Sequence, residues 1–127
     1  DRVLVGHSFA GVFASFMLLC YPDNFSKYII IAPPLVKEYY AQKEMFDAFK
    51  KKPSSSKKIA YFSIGGEEKD DKIDDYIVAI KNHCLKIGDF PDITSRVEVI
   101  AGEGHVSVVP PSIWRGLKFF DLENKGT

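Results

Sequence analysis

The stretch RVLVGHSFAGVFASFMLLC, residues 2–20, joins a short apolar run to a long apolar segment through a turn of small residues. The run at residues 2–5 is typical of a strand buried on both faces of a sheet. The segment at residues 9–20 is apolar nearly all round, which predicts a buried helix. Between them, GHSFA at residues 6–10 has the strand–turn–helix context in which some enzymes present a nucleophilic serine.

This turn places a steric demand on its neighbours. It forces Ser8 into a strained backbone conformation, so the residues two positions away must be small. Gly6 meets the demand, whereas Ala10 departs from the G-x-S-x-G pattern and moves the last glycine to Gly11. We therefore predict that Ser8 is a nucleophile and that the Phe9 backbone N–H, at the helix N-terminus, binds a developing oxyanion. A serine turn that only caps a helix is the alternative.

Three more strands and three more helices follow in alternation. The strands are predicted at residues 28–32, 59–64 and 96–100, and the helices at residues 36–50, 73–87 and from Pro111 or Ser112 onward. Gly88 is predicted to end the second of these helices in a left-handed conformation. The last helix is predicted to direct Ile113, Leu117 and Phe120 inward. Such alternation predicts an α/β fold with a mostly parallel sheet and flanking helices, formed by residues 1–127 as a single domain.

A serine nucleophile needs a base, and the chain has three histidines. His105 lies in GEGHVS, just beyond the fourth predicted strand, and the carboxyl ends of parallel strands are where such sheets assemble their sites. His7 is expected to point away from Ser8, and His83 to lie partly buried or exposed on the amphipathic helix. We therefore predict His105 as the base.

The acid that orients this base is predicted after the third strand. The stretch SIGGEEKDD, residues 63–71, offers four carboxylates. Most of them are expected to be solvated charges that favour the start of the next helix. We choose Glu68 as the acid that holds the His105 tautomer, with Asp70 as the alternative.

Four stretches of the chain resemble, in the same order, the esterase D-like family of α/β-hydrolases. They are VLVGHSFAGVFA (3–14), FSKYIIIAPPL (25–35), YFSIGGEE (61–68) and GEGHVSVVPPSIWRGLKFF (102–120). The likeness is greatest to the branch with enterobactin and salmochelin esterases and extends from residue 2 to about residue 120. By this resemblance Ser8 corresponds to the nucleophile and His105 to the base. Glu68 falls where many members keep an acid, although some work with a Ser–His pair.

The resemblance implies a serine hydrolase that cleaves small-molecule carboxylic esters through an acyl-enzyme, with no cofactor and no metal. APPLV, residues 32–36, replaces a more aromatic stretch of the family, which leaves the substrate open. Two other functions stay open. One is a hydrolase-fold module that binds a ligand without catalysis. The presence of both Ser8 and His105 argues against it, because a module without catalysis would not need to keep the pair. The other is a thioesterase or acyltransferase that uses the same residues.

The resemblance also implies that, in complete members, further strands and a second oxyanion donor precede the turn that carries Ser8. We expect this chain to be the C-terminal portion of such a domain, with its N-terminal strands missing. Its first strand would then expose an apolar edge, so we expect self-association or pairing with the missing portion. By themselves, residues 1–127 are expected to show little or no esterase activity.

Composition excludes several other classes. Seventeen basic residues balance seventeen acidic ones, so the chain has no net positive charge that would attract nucleic acid or an anionic membrane surface. The basic cluster KKKPSSSKK, residues 50–58, is typical of a solvated loop. No apolar run approaches the roughly 18 residues of a membrane span. Cys20 and Cys84 lack metal-site spacing and are expected to be buried free thiols.

Overall fold

The computed structural model describes residues 2–68 and 70–125, in which four strands alternate with four helices. The elements are β1 (Val3–His7), α1 (Phe9–Cys20), β2 (Lys27–Ile31), α2 (Gln42–Lys51), β3 (Lys58–Gly65), α3 (Ile73–Ile87), β4 (Ile93–Ile100) and α4 (Val109–Lys125). The strands form a sheet in the order β1-β2-β3-β4, and each neighbouring pair is parallel. This confirms the predicted α/β fold with a parallel sheet and flanking helices.

The helices cover both faces of the sheet. Tyr61 of β3 packs against Phe119 of α4, with ring centroids 6.3 Å apart. Its neighbour Phe62 packs instead against His83 of α3, at 5.5 Å. Because successive strand residues point to opposite faces, α4 lies on one face and α3 on the other. Phe46 of α2 also contacts His83, and α1 packs against α2, so α1, α2 and α3 form the second layer.

The two central strands carry the core. Residues 28–31 of β2 and 60–65 of β3 are buried, which agrees with their unbroken apolar character. On the α4 face the helix comes very close to β2 at Gly116, where an added Cβ would lie 2.9 Å from the side chain of Ile29. A glycine at this point lets α4 lie flat against the sheet.

β1 and α1 are less buried than the sequence predicted. β1 is at the edge of the sheet, and its Val3 and Val5 are 42% and 47% exposed. Val5 is in register with Ile29 and so shares the α4 face, but α4 packs over β2 and β3. On α1, Phe9 and Phe13 are also exposed. The prediction of a strand buried on both faces and a helix buried all round was therefore wrong for these elements in this chain.

Some helix ends also differ from the prediction. α2 begins at Gln42 rather than at residue 36, because Val36 accepts hydrogen bonds from the Tyr39 and Tyr40 N–H groups in a separate turn. α3 has the predicted bounds, but Gly88 continues in the right-handed conformation with φ −59° and ψ −17°, so a left-handed cap was the wrong prediction. The Gly88 N–H still donates to the Cys84 carbonyl at the helix end.

α4 begins at Val109, earlier than predicted, and β4 begins at Ile93 rather than at residue 96. Pro110 and Pro111 are tolerated because the first turn of a helix needs no N–H from them. Phe120 is buried as predicted, whereas Leu117 is 48% exposed, so its predicted burial was wrong. Within the described residues, no helix is long and apolar enough to cross a membrane.

Candidate active site

Ser8 occupies a sharp turn between β1 and α1. Its backbone has φ 61° and ψ −123°, a conformation that a non-glycine residue rarely adopts. The turn is held by the Ser8 N–H, which donates to the Ile31 carbonyl of β2 at 2.8 Å. A Cβ at Gly6 would lie 2.3 Å from the Ala10 carbonyl oxygen, so only glycine fits there. Strain of this kind persists where the surrounding structure enforces it, as it does at many active sites.

The displaced glycine also has a structural explanation. Ala10 is exposed, so its methyl group needs no space inside the protein. Gly11 is buried, and a Cβ there would lie 3.1 Å from Pro33 Cβ and 3.3 Å from the Ile31 carbonyl oxygen. The close approach of α1 to the end of β2 thus occurs at residue 11 rather than at residue 10.

A second junction joins the ends of β3 and β4. The Gly66 N–H donates to the Ile100 carbonyl and the Glu67 N–H to the Glu103 carbonyl, each at 2.9 Å. At Gly65 the two segments are so close that a Cβ would lie 2.4 Å from the Glu103 carbonyl oxygen. Loops that follow neighbouring parallel strands are thereby fixed against each other, and they carry the predicted acid and base.

Glu68 and His105 meet at this junction. Glu68 Oε2 lies 3.2 Å from His105 Nδ1, and the side chains are 5% and 46% exposed respectively. Because a carboxylate only accepts, this contact favours the tautomer with the proton on Nδ1, which leaves Nε2 free to accept one. The alternative acid, Asp70, is exposed and accepts a hydrogen bond from the Lys72 backbone N–H at 2.9 Å.

His7 also contacts His105, which the sequence did not indicate. Its Nε2 lies 2.8 Å from the His105 carbonyl oxygen and therefore carries the donated proton. The two rings are 4.6 Å apart between centroids. The contact depends on how residues 101–108 fold back over the end of β1, and no residue pattern encodes that path. The available signal was only that both histidines follow strands at the same edge of the sheet.

A cavity of about 390 Å³ opens at this edge. The residues that line it are Ser8, Phe9, Ala32, Pro34, Tyr39, Glu68, Asp70, Tyr76 and His105. The predicted nucleophile, base, acid and oxyanion residue thus face one space, together with the alternative acid. The remaining walls come from the segment after β2 and from the first turn of α3.

His83 lies away from the cavity, in the layer between helices and sheet. It is fully buried, in contrast to the prediction of partial burial or exposure, and contacts the rings of Tyr40, Phe46 and Phe62. Its Nδ1 lies 3.5 Å from Gln42 Nε2. Burial lowers the pKa of His83 from 6.5 to about 3, so the ring is neutral at physiological pH.

The two cysteines are free thiols, as predicted. Cys84 is buried as predicted, whereas the prediction of a buried Cys20 was wrong: this residue is partly exposed, and its sulfur lies 3.1 Å from that of Met45. Burial raises the pKa of Cys84 to about 12, which leaves little thiolate at neutral pH. The structure therefore gives Cys84 a packing role.

No family model and no curated protein matches the sequence. Solved structures match its fold. The BES protein of Bacillus cereus aligns with a TM-score of 0.78 and 21% identity, over 92% of this chain and 45% of its own. The siderophore hydrolase EstA of Aspergillus nidulans aligns with a TM-score of 0.70 and 20% identity, over 94% of this chain and 47% of its own.

A third structure, an IroE-like serine hydrolase of Shewanella oneidensis, aligns with a TM-score of 0.71 and 21% identity, over 92% of this chain and 39% of its own. The chain therefore spans less than half of the length of each of these structures. Sequence identities this low establish a common fold and nothing finer. The chain thus has the fold of the matching part of these three structures.

Proposed function

We propose that the protein is a serine hydrolase that cleaves carboxylic esters through an acyl-enzyme. The observation that carries this proposal is the strained Ser8, which faces the same cavity as His105, whose Nδ1 is held by the buried Glu68. A strained serine, an oriented imidazole and a carboxylate are the parts that acyl transfer requires. The solved structures with this fold include a siderophore hydrolase and a serine hydrolase, which is consistent with the proposal.

Each residue has a defined role in the proposed reaction. Ser8 Oγ attacks the ester carbonyl carbon while His105 Nε2 takes the hydroxyl proton. Glu68 stabilises the imidazolium that forms, and the Phe9 N–H binds the oxyanion of the tetrahedral intermediate. One such donor contributes about 3 kcal/mol of transition-state stabilisation. The imidazolium then protonates the leaving alcohol, and a water activated by His105 hydrolyses the acyl-enzyme.

The test of this proposal is covalent labelling together with turnover in the natural full-length protein, with residues numbered as here. A fluorophosphonate should attach to Ser8, as located by mass spectrometry, and Ser8→Ala should abolish both the adduct and the hydrolysis of aryl esters. Ser55→Ala is the matched control, because Ser55 is exposed on the loop before β3, at the opposite end of the sheet. Labelling that persists in Ser8→Ala would overturn the proposal.

The same assay separates the alternatives. A thioesterase or acyltransferase would also label at Ser8 but would prefer thioesters, or would transfer the acyl group to an added alcohol in place of water. A binding module without catalysis would show neither labelling nor turnover.

A further inference from the structure

The side chains around the reacting groups carry a distinct chemical signature. Three aromatic residues, Phe9, Tyr39 and Tyr76, line the cavity together with the exposed Asp70, which comes just before α3 in the chain. The rings of Phe9 and Tyr39 meet edge to face at 5.1 Å. Among the lining residues that the structure describes, acidic groups are present and lysine and arginine are not.

Asp70 is the carboxylate that remains available to a ligand. Glu68 is almost fully buried and contacts His105 Nδ1, so its carboxylate is already engaged by the imidazole. Asp70 is exposed, and the Lys72 N–H occupies its Oδ1 and fixes the orientation of the carboxylate. Its charge acts on one of these rings as well, because burial and the negative charge of Asp70 raise the pKa of Tyr76, against the opposing effect of Lys72. The neutral phenol and the carboxylate line the same cavity.

Glu68 makes the wall more negative still. Its Oε1 is buried and, among the described residues, has no hydrogen-bond partner. A buried carboxylate oxygen of this kind adds to the negative potential of the cavity, since the low dielectric of the interior screens it poorly. Anionic ligands are therefore repelled by both carboxylates, whereas a cation is attracted.

Aromatic faces combined with a carboxylate form a recognition surface for ammonium groups, because the ring quadrupole and the carboxylate attract the same positive charge. We infer that the site selects esters whose alcohol or acyl part carries an ammonium group, which binds beside Asp70 between Tyr39 and Tyr76 while the ester carbonyl meets Ser8. This inference rests on the proposed esterase function and adds its substrate class.

The decisive comparison uses two esters of the same shape. Butyrylcholine has a quaternary nitrogen where 3,3-dimethylbutyl butyrate has a quaternary carbon, and the two esters are otherwise the same. The ratio of their kcat/KM values therefore measures the effect of the positive charge alone. In the full-length protein we expect the cationic ester to be favoured about tenfold. The anionic 3-sulfopropyl butyrate should be the poorest of the three. Added 0.5 M NaCl should reduce the preference by screening the exposed Asp70.

Substitutions assign the preference to residues. Asp70→Asn should lower the ratio about fivefold, while the amide oxygen can still accept the hydrogen bond from Lys72. Asp74→Asn is the matched control, since Asp74 is an exposed acid in the first turn of α3 that does not line the cavity. Tyr76→Phe keeps the ring face and should keep the ratio, whereas Tyr76→Leu should lower it about threefold.

A binding measurement separates this inference from the proposed function. In the Ser8→Ala protein, choline should bind at least threefold more tightly than 3,3-dimethyl-1-butanol by calorimetry, and Asp70→Asn should remove the difference. That result would support the cation subsite even if Ser8 proved not to be a nucleophile. Equal binding of the two alcohols, or a kcat/KM ratio of one with active enzyme, would overturn the cation subsite and leave ester hydrolysis standing.

Discussion

At the scale of single residues, some groups of the candidate site can be predicted from the sequence, whereas the contacts between them cannot. Ser8 was predicted from the sizes of its neighbours, and His105 from its position after a strand, because both follow from local rules. The choice between Glu68 and Asp70 could not be made locally, since both acids follow the same strand. The contact of Glu68 with His105 depends on the junction between two loops far apart in sequence.

The first prediction concerns the roles of base and acid. His105→Ala should lower kcat/KM by about 10⁴-fold or more, and Glu68→Gln by a smaller factor, because a misoriented imidazole still accepts a proton in some orientations. On a neutral aryl ester, Asp70→Asn should lower kcat/KM by a smaller factor than Glu68→Gln does. Steady-state kinetics on one ester decide the order. A greater loss in the Asp70 variant would transfer the acid role to Asp70.

The second prediction assigns His7 as a positioning residue for His105. His7→Phe keeps a ring beside His105 but loses the hydrogen bond to its carbonyl oxygen, so kcat should fall about tenfold with little change in KM. The pH–rate profile should shift too, since the environment of the base changes. His7→Gln, whose amide can donate to the same carbonyl, should restore most of the activity. Equal activity in the Phe and Gln variants would mean that the hydrogen bond has no role in positioning.

At the scale of elements, the hydrophobic periodicity and the turn residues predicted which segments are strands and which are helices. They did not predict how exposed each side chain is. The central strands and the bounds of α3 were predicted closely because their patterns are strong. His83 shows the limit: it stands between Ile80 and Cys84 on the inward face of α3, but a histidine there fits either a buried or a half-exposed position. Its burial depends on the rings of Tyr40, Phe46 and Phe62, which belong to other parts of the chain.

The third prediction tests the junction between β3 and the loop after β4. Gly65→Ala should destabilise the fold by about 1–3 kcal/mol, because its methyl group would press on the Glu103 and Gly104 carbonyl oxygens and force the loops apart. The same shift should separate Glu68 from His105 and reduce kcat/KM. Gly66→Ala is the matched control, since the nearest atom to its Cβ would lie 3.5 Å away. Similar urea-unfolding free energies for the two variants would contradict this account.

The fourth prediction follows from the burial of His83. The folded protein takes up a proton on this ring only near pH 3, while the unfolded chain does so near 6.5, so stability falls as pH drops below 6.5 and is unaffected above it. Between pH 7 and pH 5, His83 should lower the free energy of unfolding by about 2 kcal/mol. Urea unfolding of the wild type and of His83→Gln at both values measures it. The Gln variant should lose less stability than the wild type, and equal losses would exclude His83 as the cause.

At the scale of the whole molecule, helices cover the middle of the sheet on both faces, whereas the β1 edge is exposed. The core lies between β2, β3 and the helices, but the outer edge of β1 carries Val3 and Val5 with large exposed fractions. Burial of β1 could not be judged from its sequence, since an apolar run shows what a strand can bury and not which neighbours it has. The chain spans less than half of the solved structures that share its fold, so activity of residues 1–127 alone stays a prediction to be tested.

The last prediction is that residues 1–127, prepared alone, associate through the edge of β1. An edge strand presents unpaired backbone groups, and apolar side chains beside them make pairing with another strand favourable. Sedimentation velocity should therefore show concentration-dependent association at micromolar concentrations. Val5→Lys should weaken that association at least tenfold, because a charge on the edge opposes pairing and leaves an ammonium group to be desolvated. Val78→Lys is the control, since Val78 is similarly exposed but lies on α3. A chain that stays monomeric throughout, or associates equally well as Val5→Lys, would show that the free edge of β1 is protected in some other way.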